Sequence, residues 1–233
     1  MLVVWLIMTT HSCPSTLVVE YAPRQDLSRT RKLRRYFTDI IHRKTDFTFI
    51  DLAKNPASPL TTEQVQAYYK RNYEGQELTP KEAKSLNKVD ALRDQFMAHD
   101  VIIIAAPMYN FGFPAAVKAW IDCVVQKEHA YTHDAKGHVP LLGGKTVIII
   151  YTAGIVFDQI NENEEWNGIV SEGQKLFGYM GATVRVVHVQ GVDMLGEKNI
   201  RYRTKNVAEL KLNTLAKNIY DVDIALLTYE DVN

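Results

Sequence analysis

Three short segments of the sequence carry side chains suited to ligand binding, and each follows an apolar run. In the first, Ser28-Arg29-Thr30, two hydroxyls and an arginine stand at the expected start of a helix. Because a helix N-terminus presents N–H groups without intrahelical partners and the positive end of a dipole, this segment can bind an anion such as a phosphate. A serine in this position can equally serve only as a helix cap. The segment contains neither G-x-G-x-x-G nor G-x-x-x-x-G-K-[ST], which argues against a dinucleotide Rossmann site and a P-loop.

The second segment is Pro107-Met108-Tyr109-Asn110-Phe111, which follows an apolar run over 101–106. Large flat and soft side chains are unusual for a surface loop, and they suit one edge of a planar aromatic ligand. Backbone N–H groups between Tyr109 and Phe111 can bond the heteroatoms of such a ring. The same composition fits a buried loop under a helix equally well.

The third segment is Thr152-Ala153-Gly154-Ile155, which follows an apolar run over 147–150. Small residues let the backbone approach a ligand closely. Taken alone, the segment also fits an ordinary turn.

Alternating strands and helices must position these segments. Apolar, β-branched runs predict strands over 16–21, 47–52, 101–106, 145–151 and 183–189. Caps and apolar residues spaced three or four apart predict helices over 29–43, 80–98, 165–180 and 206–220, and a further helix that begins at Pro114. The segment 55–73 is predicted to hold a loop and a helix, and 137–144 a turn-rich connection. This alternation predicts a doubly wound, five-stranded parallel sheet with helices on both faces. Ligands of such sheets bind beyond the carboxyl ends of the strands, where all three segments lie.

Composition narrows the class of protein. The 233 residues are 46% apolar, which favours a single domain over 16–220, with an N-terminal extension over 1–15 and an acidic tail over 221–233. The formal net charge of zero argues against a nucleic-acid partner and against an acidic electron carrier. Two cysteines allow no thiol metal cluster and indicate a cytoplasmic setting. The apolar run over 1–8 is too short to span a bilayer, so no membrane association is expected; it is interpreted as a disordered extension or as an upstream start before Met8.

The three segments together resemble the FMN-dependent NADH-azoreductase and NAD(P)H:quinone oxidoreductase family. The resemblance rests on Ser-x-Thr at a helix start, on Pro-Met-Tyr-Asn-Phe after a strand, and on a short glycine turn after the next strand. Lys118-Ala-Trp-Ile-Asp122, the connection over 137–145 and Tyr179-Met-Gly-Ala182 also fit the family pattern. The resemblance covers 16–220.

The resemblance implies a flavodoxin-like homodimer with FMN sites at the dimer interface. By position, Ser28, Arg29 and Thr30 would hold the FMN phosphate. The stretch Pro107–Phe111 would flank the isoalloxazine ring, and Thr152–Ile155 would contact its pyrimidine side. Where the family has a second glycine and a hydroxyl, this sequence has Ile155 and Ala22; a β-branched residue at position 155 would be strained if its φ were positive.

The family mechanism is ping-pong, with NADH or NADPH as the electron donor and a small-molecule acceptor such as a quinone or an azo compound. Tyr131 and His133 lie where the family places residues near the open face of the flavin, although a solvated loop remains an alternative for His133. His188 is interpreted as a packed polar residue, and Glu164 and Glu165 as favourable charges at a helix start. Two other functions stay open: a non-catalytic flavodoxin-like electron carrier or redox sensor, and a member of the fold that has lost FMN.

Overall fold

The computed structural model describes residues 13–156, 167–192 and 198–223; over 198–204 it describes the backbone alone. Seven strands occur in this part of the chain: β1 (Thr16–Glu20), β2 (Phe47–Asp51), β3 (Val101–Pro107), β4 (Tyr131–Asp134), β5 (Gly137–Pro140), β6 (Thr146–Thr152) and β7 (Thr183–Val189). Five of them form one parallel sheet in the order β2-β1-β3-β6-β7. The predicted flavodoxin-like, doubly wound sheet is therefore confirmed, and each predicted strand agrees with the observed one to within one residue.

Helices cover both faces of this sheet. They are α1 (Arg29–Ile41), α2 (Thr62–Asn72), α3 (Pro80–Met97), α4 (Ala115–Val124), α5 (Gly168–Gly173) and α6 (Lys198–Tyr220). Side chains along β3 alternate between two cores: Ile102 and Ile104 pack with α3, α4 and α5, whereas Ile103 packs with α1 and α6. Because β3 is buried on both faces, its sequence is apolar throughout rather than alternating.

Local sequence explains where the helices begin. The Ser28 side chain accepts a hydrogen bond from the N–H of Arg31 at the start of α1. Thr61 and Thr79 each form a complete capping box, with Gln64 and Glu82 respectively. These caps satisfy N–H groups that the helices themselves leave without partners.

Three predictions about secondary structure need correction. The connection over 137–144, predicted to be rich in turns and without a strand assigned to it, contains β5, which pairs with β4 as an antiparallel hairpin separate from the main sheet. The predicted helix over 165–180 is α5 followed by a π-helical turn over Gln174–Gly178; its predicted start lies outside the described residues. Helix α6 begins at Lys198, not at 206, because the intervening polar residues include no glycine or proline that would stop a helix. Gly181, with a φ of +95°, follows this π-helical turn in the left-handed conformation that commonly ends a helix.

Residues near both predicted ends of the domain are ordered against it. Ser15, in the predicted extension, donates its hydroxyl to Asp100 at 2.8 Å, and Asp221 has a φ of +52° just after α6. Residues 1–12 and 224–233 lie outside the described part of the chain, so the boundaries at 15 and 220 stay predictions. Over the residues that are described, no helix is long and apolar enough to cross a membrane.

Candidate functional site

Helix α1 follows β1 after the loop over 21–28, which contains a short 3-10 turn over Gln25–Leu27. The Ser28 hydroxyl caps the helix by accepting from the N–H of Arg31 at 3.2 Å. Thr30 is buried, and the Arg29 guanidinium donates to the carbonyl of Val192, beyond the end of β7. Ser28 can therefore serve both as a helix cap and as a donor to a bound anion, because a hydroxyl that accepts one hydrogen bond can still donate its own hydrogen.

The loop after β3 forms a tight turn from Tyr109 to Gly112. The N–H of Tyr109 donates to the carbonyl of Gly112 at 3.1 Å, and the reverse bond measures 3.0 Å. The two central residues, Asn110 and Phe111, have φ values of +48° and +66°. Two positive φ values define a type I′ geometry that glycine and asparagine tolerate but that strains a bulky residue such as phenylalanine. Strain of this kind is a recurrent feature of ligand-binding loops.

The same loop is exposed rather than buried under a helix. The side chains of Tyr109 and Phe111 are 44% and 43% exposed, which favours the ligand interpretation of this segment over the buried-loop alternative. The rings of Tyr109 and Tyr21 meet edge to face at 6.2 Å. Partial burial raises the pKa of Tyr109, and the neighbouring Tyr21 adds to the shift, so Tyr109 is a neutral phenol at physiological pH.

The turn after β6 is held against the end of β7. The N–H of Ala153 donates to the carbonyl of Val189 at 2.9 Å, and the Ile155 carbonyl accepts from Gly191 at 3.0 Å. Ile155 is not among the described residues whose φ is positive. The strain that would accompany a positive φ at this position is thus absent, and a β-branched residue fits the turn.

Direct contacts join the three segments. The hydroxyl oxygens of Thr30 and Thr152 lie 2.7 Å apart, and the N–H of Met108 donates to the Thr152 carbonyl at 2.9 Å. The order β1-β3-β6 places all three strand ends side by side. In the order β2-β1-β3-β6-β7, β2 lies on one side of β1 and β3 lies on the other, so the strand order reverses direction at β1. The site therefore lies at the switch point where doubly wound sheets bind ligands.

The start of α5 supports the loop after β3 from behind. A Cβ atom added at Gly168 would lie 2.3 Å from the Phe111 carbonyl oxygen. Only a residue without a side chain therefore allows the helix to approach the strained turn this closely. Asn167 caps the same helix through the N–H of Val170 and bonds the hydroxyl of Tyr151, which is buried under the site.

A buried charge cluster next to the site was not predicted from the sequence. Glu20, the last residue of β1, is fully buried and accepts hydrogen bonds from Arg31 and Arg34. The only sequence signal was an acidic residue at the end of an apolar strand, followed by arginines one helical turn apart in the next element.

Tyr131 and His133 lie on the β4–β5 hairpin and not among the strand-end loops. Their rings are 5.7 Å apart, and the hydroxyls of Tyr131 and Tyr73 are 3.0 Å apart. Burial raises the pKa of Tyr131, and the hydrogen bond with Tyr73 raises it further. Within the described part of one chain, Tyr131 contacts Tyr73 at the end of α2, its own hairpin and the core beneath it, and no described hydrogen bond or ring contact joins Tyr131 or His133 to the three strand-end segments.

Other candidates behave as packed residues or fall outside the described chain. The ring of His188 packs on Tyr151 with centroids 5.2 Å apart. Glu164 and Glu165 lie in the gap at 157–166. Over the described ranges, no group of three or more histidine, cysteine, aspartate or glutamate side chains is placed to hold a metal ion.

Comparison with known proteins identifies relatives over most of the chain. A family model described as a flavodoxin-like fold matches residues 14–212. An FMN-dependent NADH:quinone oxidoreductase from Azospirillum brasilense is 32% identical over 204 residues, which cover 86% of this chain and 96% of that protein. Another, from Polaromonas naphthalenivorans, is 33% identical over 154 residues, or 66% of this chain and 70% of that protein.

Solved structures share the fold. An FMN-dependent NADH-azoreductase from Bacillus anthracis, in complex with FMN, superimposes with a TM-score of 0.75 at 20% identity and covers 87% of this chain and 99% of its own. An NAD(P)H:quinone oxidoreductase from Methanothermobacter marburgensis gives a TM-score of 0.63 at 17% identity, over 87% of this chain and 97% of its own. At these identities the superpositions show that the fold is shared. The chain belongs to the flavodoxin-like family of FMN-dependent NADH:quinone oxidoreductases.

Proposed function

We propose that this chain binds FMN at the strand-end site and transfers two electrons from NADH or NADPH to quinones, azo compounds or similar small acceptors by a ping-pong mechanism. The observation that carries the proposal is the convergence of the three segments, joined by the Thr30–Thr152 and Met108–Thr152 contacts. Curated relatives with the same domain are FMN-dependent NADH:quinone oxidoreductases, which supports the assignment.

The residues present suit the parts of FMN. Ser28, Arg29 and Thr30 would hold the phosphate, because the helix start combines a cationic side chain, hydroxyls and the positive end of the helix dipole. Pro107–Phe111 would flank the ring, and Thr152–Ile155 would contact the pyrimidine side. Ala22 offers no side-chain donor, so the phosphate contacts would come from α1 itself.

FMN, when bound, supplies the two-electron redox chemistry. The chain's own part is to position and polarise the ring. In a type I′ turn the central amides of Asn110 and Phe111 point away from the turn's own hydrogen bonds, and such donors stabilise negative charge on a nearby ring edge. Tyr109 and Phe111 would keep water from the ring. This mechanism requires no acid, base or nucleophile from the chain.

We also propose that the protein is a cytoplasmic homodimer, with Tyr131 and His133 on the acceptor side of the pocket. Tyr109 and Phe111 expose large aromatic side chains on one loop, and surfaces of this kind commonly pack against a partner. His133 is exposed on the hairpin and would be available to donate a proton to an acceptor, a contribution that the mechanism above does not require. Sedimentation that shows a fully active monomer at micromolar concentration would contradict the homodimer.

The deciding experiment is stopped-flow mixing of the purified flavoprotein with NADH and, separately, with NADPH. We expect the flavin absorbance to bleach with at least one donor and to recover when a simple quinone is added. A flavin that binds but is reduced by neither nicotinamide would contradict the enzyme and favour an electron carrier. A colourless protein that does not take up added FMN would contradict the cofactor assignment.

A further inference from the structure

The charge cluster beside the site is built around one fully buried carboxylate. Glu20 accepts from the Nε atoms of Arg31 and Arg34, each at 2.8 Å, through its two different oxygens. Both guanidinium groups are almost buried. Asp51, on β2, lies 3.6 Å from Arg31 and adds a second negative charge. The cluster is therefore close to neutral, and its effect on a nearby ligand must come from geometry more than from net charge.

The two arginines differ in what else they contact. Arg34 donates to the Thr38 hydroxyl at 3.2 Å and lies 5.2 Å from the centre of the Phe49 ring, so its remaining contacts point along α1 and toward β2. Arg31 instead donates from Nη1 to the Gln25 side-chain oxygen at 2.7 Å. Arg31 thus links the buried carboxylate to the loop between β1 and α1.

Gln25 has an unusual backbone conformation in that loop. Its φ is +50°, a conformation that residues other than glycine seldom adopt. Its N–H donates to the Ala22 carbonyl at 3.0 Å, and its own carbonyl accepts from the N–H of Ser28 at 2.9 Å. The conformation of Gln25 therefore sets the position of Ser28, where α1 begins. The Arg31 side chain is the contact that holds the Gln25 side chain in place.

We propose that Arg31 is a positioning residue that, through Gln25, holds the Ala22–Ser28 loop in the shape that accepts a phosphate monoester and so selects FMN over unphosphorylated riboflavin. This inference rests on the proposed function, in which the phosphate lies at Ser28–Thr30. Arg31 itself does not contact the ligand. The planar guanidinium bonds Glu20 and Gln25 at once, which a lysine ammonium at the same position cannot reproduce with the same geometry.

The test compares flavin affinities of the native chain with those of Arg31→Lys, Gln25→Ala and Arg34→Lys. The dissociation constants of FMN and riboflavin are measured for each protein from flavin fluorescence. The two lysine variants keep the charge that compensates Glu20, and Arg34→Lys is the matched control because Arg34 does not touch the loop. Urea unfolding of each flavin-free protein verifies folding. Gln25 is exposed, so Gln25→Ala decides the matter if Arg31→Lys does not fold.

We expect Arg31→Lys and Gln25→Ala to weaken FMN binding by about tenfold, the change that corresponds to losing one hydrogen bond to a charged group. Riboflavin affinity should stay unchanged, because riboflavin has no phosphate. Arg34→Lys should leave the preference for FMN intact. If native protein prefers FMN and the folded variants all keep that preference, the inference is wrong while the proposed function stands. If native protein binds neither flavin, the proposed function itself fails, and this inference with it.

Discussion

The hydroxyl oxygens of Thr30 and Thr152 are 2.7 Å apart although the strands they are associated with, β1 and β6, are not neighbours in the sheet. Thr30 belongs to the first turn of α1, after β1, and Thr152 is the last residue of β6. Strand β3 lies between β1 and β6, so this contact passes over the carboxyl end of β3. The helix start and the end of β6 are thereby held at a fixed spacing.

Replacing Thr30 with valine should weaken FMN binding by about tenfold, because the contact with Thr152 and a hydroxyl near the phosphate are both lost. The buried Thr152 hydroxyl would lose this partner, so the free energy of unfolding should also fall by about 1–3 kcal/mol. Flavin fluorescence and urea unfolding measure the two effects. Thr38→Val is the control, since Thr38 is a buried threonine of the same helix that lies a turn or more from the site. Equal losses of FMN affinity in both variants would contradict the prediction.

The strain in the turn after β3 can be tested by comparing glycine with alanine at position 111. Phe111→Gly should be more stable than Phe111→Ala by about 1 kcal/mol, because alanine disfavours the left-handed conformation at a φ of +66° and glycine does not. Both variants lose the same ring, so its contacts cancel in the comparison. Urea unfolding of the flavin-free proteins gives the difference. An alanine variant that is equally stable or more stable would show that the turn is not held in this conformation.

The close approach of α5 to this turn can be tested with a single methyl group. Gly168→Ala should displace the Phe111 carbonyl, since the new Cβ would lie only 2.3 Å from its oxygen. We expect weaker FMN binding and a shifted flavin absorbance spectrum. Gly178→Ala, further along the same helical segment, places a Cβ with no atom within 4 Å and serves as the control. Identical spectra and affinities for native protein and Gly168→Ala would contradict the proposed place of the ring.

Acid should weaken the protein partly through Glu82. Hydrogen bonds from Lys70 and from the N–H and hydroxyl of Thr79 lower the pKa of Glu82 from 4.5 to about 2. A carboxylate whose pKa is lower in the folded state stabilises the fold above its unfolded pKa and loses that contribution as the pH falls toward its folded pKa. Glu82→Gln should therefore flatten the loss of stability between about pH 5 and pH 2. Glu63→Gln removes an exposed ion pair with Lys81 and is the control; the same pH slope in native protein and Glu82→Gln would refute the assignment.

Apolar runs and caps made most of the fold predictable. Strands such as β3 and β6 consist almost wholly of β-branched and small apolar residues, which suit only a sheet buried on both sides. Ser28 was predicted as a possible cap and acts as one. The place of all three candidate segments followed from the rule that ligands bind at the carboxyl ends of parallel strands.

The missed features have weak local signals. The β4–β5 hairpin is short and partly exposed, so it has no buried face to impose an alternating pattern, and Gly137 and Pro140 gave the appearance of turns. The positive φ of Phe111 could not be predicted, because phenylalanine seldom adopts this conformation and does so here only in the context of the folded turn. The links from Glu20 to Arg31 and onward to Gln25 depend on side-chain directions that spacing along the chain does not fix.

The β4–β5 hairpin is separate from the main sheet, which has a consequence for how such proteins diversify. Among the residues that the structure describes, its two strands pair with each other and with no strand of the main sheet, whereas the segments proposed to hold FMN belong to the main sheet and to α1. Substitutions along its exposed residues, such as His133, therefore leave the parallel sheet and its ligand-binding edge undisturbed. In the proposed enzyme, descendants of one ancestor can acquire new acceptors by changing the hairpin while inheriting an unaltered cofactor site.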